Sequence, residues 1–321
     1  MSEPESQCSA APLVYKIYGL RIRSEIPLGV PSGETDASVD LTIALTESSV
    51  EFGEIPDGET LASFDLPNGR GYVFKRGEGG SCLRFHGECE FRFNEDLSRC
   101  DVRLEKGRPV EIAGWLLKAS VPALLLGLRG EPMLHASAIE VDGKAVAVAG
   151  ESGMGKSTVA AVFCAAGRRL VSDDLLRLDF GDSVVTCFPG GAELRLRDSG
   201  QGPSALFDEG RLSVAVDGRV IARCEPVREL LPLAAVLVPK PEPDASAVRA
   251  RCLSKAEAGY CLNKWPRVAG WEKEEPRQAH FKHVAELVRR VPVVEIEMPA
   301  GPPFQEGMPD EILRALGGVI R

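Results

Sequence analysis

The residues best suited to chemistry form one short run, Gly150-Glu151-Ser152-Gly153-Met154-Gly155-Lys156-Ser157-Thr158. The run matches the pattern G-x-x-x-x-G-K-[S/T] at every fixed position and stands between a β-type apolar run and a helical pattern. The glycines let backbone N–H groups turn toward a phosphate, the following helix adds its positive dipole end, and lysine reaches the terminal phosphates. A glycine-rich turn would explain the glycines but not the Lys-Ser pair. The predicted nucleotide-binding residues are Gly150, Ser152, Gly153, Met154, Gly155, Lys156, Ser157 and Thr158.

Two aspartates, Asp173 and Asp174, follow the next strand-like run. Acidic residues at the end of a strand beside a phosphate-binding loop are typical of a metal ligand or a catalytic base. The alternative is a solvated acidic turn. His135, at the start of an earlier strand-like run, fits core packing and catalysis about equally. Phosphoryl transfer requires a phosphate cradle, Mg²⁺, a carboxylate for the acceptor's proton and cations for the developing charge, and the sequence has a candidate for each.

The composition narrows the class of protein. With 321 residues, 44% hydrophobic and 26% charged, the chain is expected to be globular with about two domains. A net charge of -9 argues against nucleic-acid and anionic-membrane partners. Nine scattered cysteines without a C-x-x-C motif, and an N-terminus without a signal-peptide pattern, predict reduced thiols and a cytoplasmic location. The most apolar run, Ile112–Leu128, contains Lys118 and Pro122 and is expected to be a core helix.

Alternating apolar residues predict that residues 1–105 form an N-terminal, mostly β module, in which residues 1–11 are disordered and Leu13–Arg23 is the first strand. His86 lies in this module and is expected to be structural or solvent-exposed rather than catalytic. Residues 106–321 are expected to form the second domain, which begins with a helix over Val110–Leu128. In it, two strands pair across Asp142-Gly143 and the second leads into the phosphate-binding loop. Leu233–Val238 is predicted to be a central strand, followed by a proline-rich loop over Pro239–Ala245.

Three segments resemble the HPr kinase/phosphorylase family and the related kinases of lasso-peptide gene clusters. They are Met133-Leu134-His135-Ala136-Ser137-Ala138, the loop in its G-x-S-G-x-G-K-S form, and Gly167-Arg168-Arg169-Leu170-Val171-Ser172-Asp173-Asp174. The resemblance covers about residues 110–197, with weaker similarity near both ends of the chain. It implies an α/β P-loop kinase domain of the HPr kinase/PEP carboxykinase-like type, preceded by a small, mostly β N-terminal module.

The resemblance also implies roles for single residues. Lys156 matches the family's phosphate lysine, Ser157 its magnesium serine, Asp174 its general base and His135 its supporting histidine. Glu193 is similar to the family's second magnesium carboxylate, so the predicted metal ligands are Ser157, Glu193 and Asp173. The glycine-rich signature that follows in HPr kinases is replaced here by Leu196-Arg197-Asp198, so the resemblance does not extend to HPr as acceptor or to the phosphorylase reaction. Candidates for the family's late catalytic arginine are Arg195, Arg219 and Arg223.

These expectations define an ATP-dependent kinase, or one using another nucleoside triphosphate, that requires Mg²⁺ and phosphorylates a hydroxyl group. The expected acceptor is a serine of a peptide or protein, and a ribosomally made precursor peptide is one such acceptor. A small-molecule hydroxyl kinase and a nucleotide-dependent regulator without transfer activity are the alternatives. A homo-oligomer is compatible with the sequence.

Overall fold

The computed structural model describes residues 12–30, 38–67, 69–197, 202–304 and 307–317. Residues 1–11, which are predicted to be disordered, lie outside these ranges. Asp198, the last residue of the segment that replaces the glycine-rich signature of HPr kinases, also lies outside them. The chain divides into two compact units, Met1–Lys118 and Ala119–Arg321. The first unit thus includes the first part of the helix that the sequence assigns to the second domain.

The described part of the first unit is an eight-stranded sheet followed by a helix. Its strands run in the order β1-β2-β3-β8-β7-β6-β5-β4, and only the β2–β3 and β3–β8 pairs are parallel. The elements are β1 (Leu13–Ile17), β2 (Leu20–Ser24), β3 (Leu41–Val50), β4 (Glu59–Asp65), β5 (Gly71–Gly77), β6 (Gly80–Phe85), β7 (Cys89–Asn94), β8 (Arg99–Glu105) and α1 (Val110–Lys118).

The prediction of one strand over Leu13–Arg23 is wrong, because β1 and β2 form an antiparallel hairpin. Tyr18 and Gly19 make its turn with positive φ angles of 54° and 74°. Two successive residues with positive φ are characteristic of tight hairpin turns. The turn could not be predicted from the sequence, because a bulky residue such as tyrosine seldom adopts a positive φ angle.

The predicted helix over Val110–Leu128 is interrupted at Ala119 and divided into α1 and α2 (Ser120–Leu128). Pro122 has no N–H to donate to the carbonyl of Lys118, so the helical ladder cannot continue there. The Tyr18 hydroxyl donates to that carbonyl at 2.9 Å. Among the described residues, no single helix is long and apolar enough to cross a membrane, whereas α1 and α2 taken together reach that length.

The second unit is a mixed α/β structure with a nine-stranded sheet and a separate three-stranded sheet. The large sheet has the order β12-β10-β11-β18-β14-β13-β9, and β20 extends it beside β18 and pairs with β19. Its strands are β9 (Met133–Leu134), β10 (Ala136–Val141), β11 (Lys144–Ala149), β12 (Leu170–Ser172), β13 (Leu176–Phe180), β14 (Val185–Cys187), β18 (Leu231–Glu242), β19 (Arg249–Cys252) and β20 (Val293–Pro299).

The remaining elements cover this sheet or form the small one. The helices are α3 (Lys156–Ala165), α4 (Lys255–Lys264), α5 (Glu274–Arg290) and α6 (Met308–Leu316), with short 3₁₀ turns at Pro203–Leu206 and Glu209–Arg211. The small sheet has the order β15-β17-β16, with β15 (Glu193–Leu196), β16 (Leu212–Val214) and β17 (Val220–Arg223).

Alternation along β11 divides the core of this unit into two layers. Ala145, Ala147 and Ala149 belong to an apolar cluster that includes Val284 and Leu287 of α5. Val146 and Val148 belong to a second cluster, which includes Val159 and Phe163 of α3 and Ile312 of α6. Since successive side chains of a strand point to opposite faces, helices cover the sheet on both sides. Helix α3 is thereby held directly after the strand that precedes it.

The predicted loop over Pro239–Ala245 is wrong for its first part, because β18 continues to Glu242 and pairs with β20. The N–H of Val236 donates to the carbonyl of Pro292 of the segment leading into β20, so Pro239 and Pro241 have their nitrogens on the opposite side. On that side β11 pairs only as far as Leu237. Proline is tolerated where a strand has no neighbour to receive its N–H.

Candidate active site

The loop over residues 150–155 connects β11 directly to α3. Gly153 and Gly155 have positive φ angles of 94° and 88°, which glycine adopts without steric strain. The N–H of Met154 donates to the carbonyl of Glu151 at 3.1 Å and closes the turn. Gly155 caps α3 without any side-chain hydrogen bond to the first-turn N–H groups. The loop therefore has the backbone donors and the helix dipole of an anion site.

Lys156 is buried, with 8% of its surface exposed. Its Nζ donates to the carbonyls of Gly150 at 3.0 Å and Glu151 at 3.3 Å, which holds the ammonium over the loop. Burial lowers its pKa from the ordinary value, although Asp174 and Asp173 oppose that shift. A partly desolvated cation beside two carboxylates is suited to charged phosphate oxygens.

Asp173 is held by three donors from three separate elements. Its Oδ1 accepts from the hydroxyls of Ser137 at 2.6 Å and Ser157 at 3.1 Å, and its Oδ2 accepts from the N–H of Arg195 at 3.1 Å. Burial raises the pKa of Asp173, while the hydrogen bond from Ser137 opposes the rise. The side chain is therefore fixed beside the first turn of α3.

Asp174 has a more open side chain, 43% exposed, and an unusual backbone conformation with φ of 68°. Its Oδ1 lies 3.2 Å from Nε2 of His135, and its Oδ2 accepts from Nη2 of Arg267 at 2.7 Å. Partial burial opposes the ionisation of Asp174, but Arg267, His135 and Lys156 hold its pKa well below the ordinary range. A strained residue with a perturbed pKa is often found at a functional site.

Arg267 is the cation that sequence reasoning missed at Asp174. It lies in the segment between α4 and α5, 93 residues from its partner, and its side chain is 12% exposed. Of the arginines proposed from the sequence, Arg195 and Arg219 pair with Asp217 at 2.6 and 3.5 Å. Burial lowers the pKa of Arg195, against the charges of Asp217 and Asp174. No local motif marks Arg267, because only the fold brings it to the aspartate.

Arg197 is a second cation outside the predicted set. Its Nη2 donates to the hydroxyl of Ser152 in the loop at 3.3 Å. Its charge also contributes to the lowered pKa of Lys156, after the larger effect of burial. A loop serine and an arginine from the end of β15 thus lie together beside the lysine.

The predicted metal ligands are only partly brought together. Ser157 and Asp173 are in hydrogen-bond contact, and a hydroxyl with a carboxylate fits Mg²⁺, which binds through few protein oxygens plus phosphates. Glu193 begins β15, two positions before the Arg195 N–H that bonds Asp173. In the ranges that the structure describes, no group of three or more His, Cys, Asp or Glu side chains is placed to hold a metal. The role of Glu193 as a ligand remains a prediction.

Comparison with known proteins gives matches among solved structures. No family model matches the sequence, and no curated protein matches it. Among solved structures, the chain is similar to the HPr(Ser) kinase/phosphatase from Coxiella burnetii, with a TM-score of 0.31 and 15% sequence identity. That similarity covers 58% of this chain and 94% of the other.

Proposed function

We propose that this protein is a kinase that transfers the γ-phosphate of ATP, or of another nucleoside triphosphate, to a hydroxyl group, most specifically a serine hydroxyl of a peptide. The observation that carries the proposal is the convergence on Asp174. The carboxylate lies directly after the Asp173 that bonds Ser157 of α3, and it is bonded by His135 and Arg267. A module that only binds nucleotide needs the phosphate loop but no oriented base.

In this proposal the residues divide the work between binding and transfer. The loop N–H groups and Lys156 bind the β- and γ-phosphates, and Arg197 lies ready to contribute charge at the loop. Ser157 and Asp173 would hold Mg²⁺, which supplies charge neutralisation at the phosphates when it is bound. These interactions would position the γ-phosphate and stabilise its charge without forming a covalent bond to it. This is in keeping with a reaction catalysed mainly by position and charge.

Asp174 accepts the acceptor's proton as the hydroxyl oxygen forms its bond to the γ-phosphorus. The bond from that phosphorus to the bridging oxygen breaks, and the nucleoside diphosphate leaves with the electron pair. Because its pKa is held low, Asp174 is ionised at neutral pH and takes the proton only as the hydroxyl becomes acidic. His135 and Arg267 fix the carboxylate and are positioning residues.

The direct test is transfer of labelled γ-phosphate from Mg-ATP to a panel of serine peptides and small alcohols. Transfer to a serine hydroxyl that requires Asp174 would support the proposal. Tight Mg-nucleotide binding without transfer to any peptide, protein or alcohol, accompanied by a nucleotide-dependent change of shape, would identify a regulator instead.

A further inference from the structure

A cavity of about 460 Å³ lies in the second unit next to Arg267. It is lined by the end of α2, the start of β9, the end of α4, the segment between α4 and α5, and α5 itself. We call it the Trp271 cavity, and the lining residues that matter here are Gly127, Arg267, Trp271, His280, Phe281 and His283. Arg267 both lines the cavity and bonds Asp174, so the cavity adjoins the proposed base.

The wall formed by Trp271 depends on a glycine. A Cβ atom at Gly127 would lie 2.5 Å from Cζ2 of Trp271 and 3.1 Å from Cε of Met133. Real side chains do not approach so closely, so the indole can lie against α2 only because residue 127 has no side chain. The shape of the cavity is therefore set by close packing.

The aromatic walls of the cavity suit an apolar side chain. Its volume falls within the usual range for ligand pockets, and indole and phenyl rings are among its walls. Burial lowers the pKa of both His280 and His283 below the ordinary value, so both rings are neutral at neutral pH. Of the charged side chains that line the cavity, Arg267 is paired with Asp174 and Glu131 with Arg177, while Arg277 adds a positive charge.

A second cavity of about 560 Å³ continues from the first along α4 and α5. The two share Asn263 and Phe281, and the second is also lined by Tyr260 and Val288. Tyr260 is 72% exposed and Phe281 is 63% exposed, so both rings are accessible to a partner from solvent. Together the cavities form a path along α4 and α5 whose aromatic side chains are Trp271, Phe281 and Tyr260.

We propose that the acceptor is a peptide segment that places a bulky apolar side chain, close in sequence to its phosphorylated hydroxyl, in the Trp271 cavity and continues along α4 and α5. This inference rests on the proposed kinase function. It is favoured by Arg267, which lines the cavity and bonds Asp174, by the indole and phenyl walls, and by the second cavity that shares Asn263 and Phe281.

The test compares short blocked peptides that contain a single serine and differ only by phenylalanine or aspartate at one neighbouring position. The wild-type protein should have a KM about tenfold or more lower for the phenylalanine peptide of the best pair. Phe281→Glu places a charge where the two cavities meet and should remove that advantage. Mg-nucleotide affinity should remain unchanged, because Phe281 lies outside the phosphate-binding loop.

Val184→Glu is the matched control, because Val184 is also exposed, at 45%, and lines neither cavity. Binding of the fluorescently labelled phenylalanine peptide, followed by anisotropy, gives a readout independent of turnover. Tyr260→Glu repeats the test farther along the path, and circular dichroism shows whether each variant is folded. We expect Phe281→Glu and Tyr260→Glu to weaken peptide binding and Val184→Glu to leave it unchanged.

Three outcomes would contradict this inference, and they can be distinguished. If the wild-type protein phosphorylates peptides but treats both members of every pair alike, or if Phe281→Glu keeps the wild-type KM, the cavity is not the acceptor site and the kinase proposal stands. If only small alcohols are phosphorylated, the peptide assignment is wrong. If nucleotide binds and no acceptor is phosphorylated, the proposed function fails and this inference fails with it.

Discussion

Nη2 of Arg267 donates a 2.7 Å hydrogen bond to Oδ2 of Asp174. This bond joins the short connection between β12 and β13 to the segment between α4 and α5. The other carboxylate oxygen faces Nε2 of His135. Each oxygen of Asp174 therefore has its own partner, which fixes the plane of the carboxylate. The expected effects of changing Asp174 and Arg267 depend on this arrangement.

Asp174→Asn should reduce phosphate transfer by roughly two to four orders of magnitude, because an amide cannot accept the proton. Mg-nucleotide affinity should stay close to that of the wild type. Asparagine tolerates the left-handed φ angle, so the backbone should be retained. Asp142→Asn is a suitable control, since Asp142 also has a positive φ of 49° but lies in the β10–β11 turn. Loss of nucleotide binding with unchanged transfer per bound nucleotide would reassign Asp174 as a metal ligand.

Arg267→Met should shift the acidic limb of the kcat profile to higher pH. The arginine holds the pKa of Asp174 down, so removing it raises that pKa and protonates the base at a higher pH. Arginine beside an aspartate lowers its pKa by about one unit or more, which sets the size of the expected shift. Arg219→Met, which removes a partner of Asp217 instead, should leave the limb in place. An unshifted profile in Arg267→Met would show that the pair does not control the base.

Lys156→Ala should weaken Mg-nucleotide binding about tenfold or more and abolish transfer, because it removes a charge-assisted contact to phosphate. Calorimetric titration with a non-hydrolysable nucleotide measures the first effect. Lys144→Ala removes an exposed lysine at the start of the strand that leads to the loop and should bind normally. Wild-type transfer by Lys156→Ala would contradict the assignment of the loop.

Glu90 is expected to be a main determinant of the stability of the first unit. It is fully buried and accepts from Arg84 at 2.8 Å, Arg92 at 2.6 Å and Arg103 at 3.0 Å. Burial opposes its ionisation, but the three arginines lower its pKa to about 2. Glu90→Gln leaves these guanidinium groups without their carboxylate and should cost about 3 kcal/mol in urea unfolding at neutral pH.

The pH dependence of that cost follows from the lowered pKa. The stabilisation by Glu90 is present above the pKa of an unfolded glutamate, about 4.3, and is lost as the pH falls toward 2. The difference between wild type and Glu90→Gln should therefore shrink in acid. Glu47→Gln, which removes the exposed partner of Arg103, should cost about 1 kcal/mol or less. A similar loss of unfolding free energy in both variants would mean that burial of Glu90 and its three arginine partners adds no stability beyond that of an exposed ion pair.

The sequence predicts correctly the parts of the structure that depend on residues close together along the chain. The strand, glycine loop and helix around Lys156 form one continuous segment, and the Asp142-Gly143 turn pairs β10 with β11 as predicted. Long-range contacts decide what the sequence could not predict. Arg267 reaches Asp174 only through the packing of the segment after α4, and Ser137 reaches Asp173 through the β10–β12 pairing.

Pro239 of β18 limits how far the sheet extends toward the loop over residues 150–155. The last residue pair between β11 and β18 is Val148–Leu237. The next residue of β18 whose backbone nitrogen lies on the β11 side is Pro239. A methyl group built on Gly150 would lie 3.7 Å from its ring, so the proline stands at the first residue of the loop. Because it has no N–H, the sheet cannot extend its ladder into residues 150–155. The segment after β11 therefore leaves the sheet at Gly150 and forms the loop. The carbonyls of Gly150 and Glu151 accept hydrogen bonds from Lys156 instead of from a neighbouring strand.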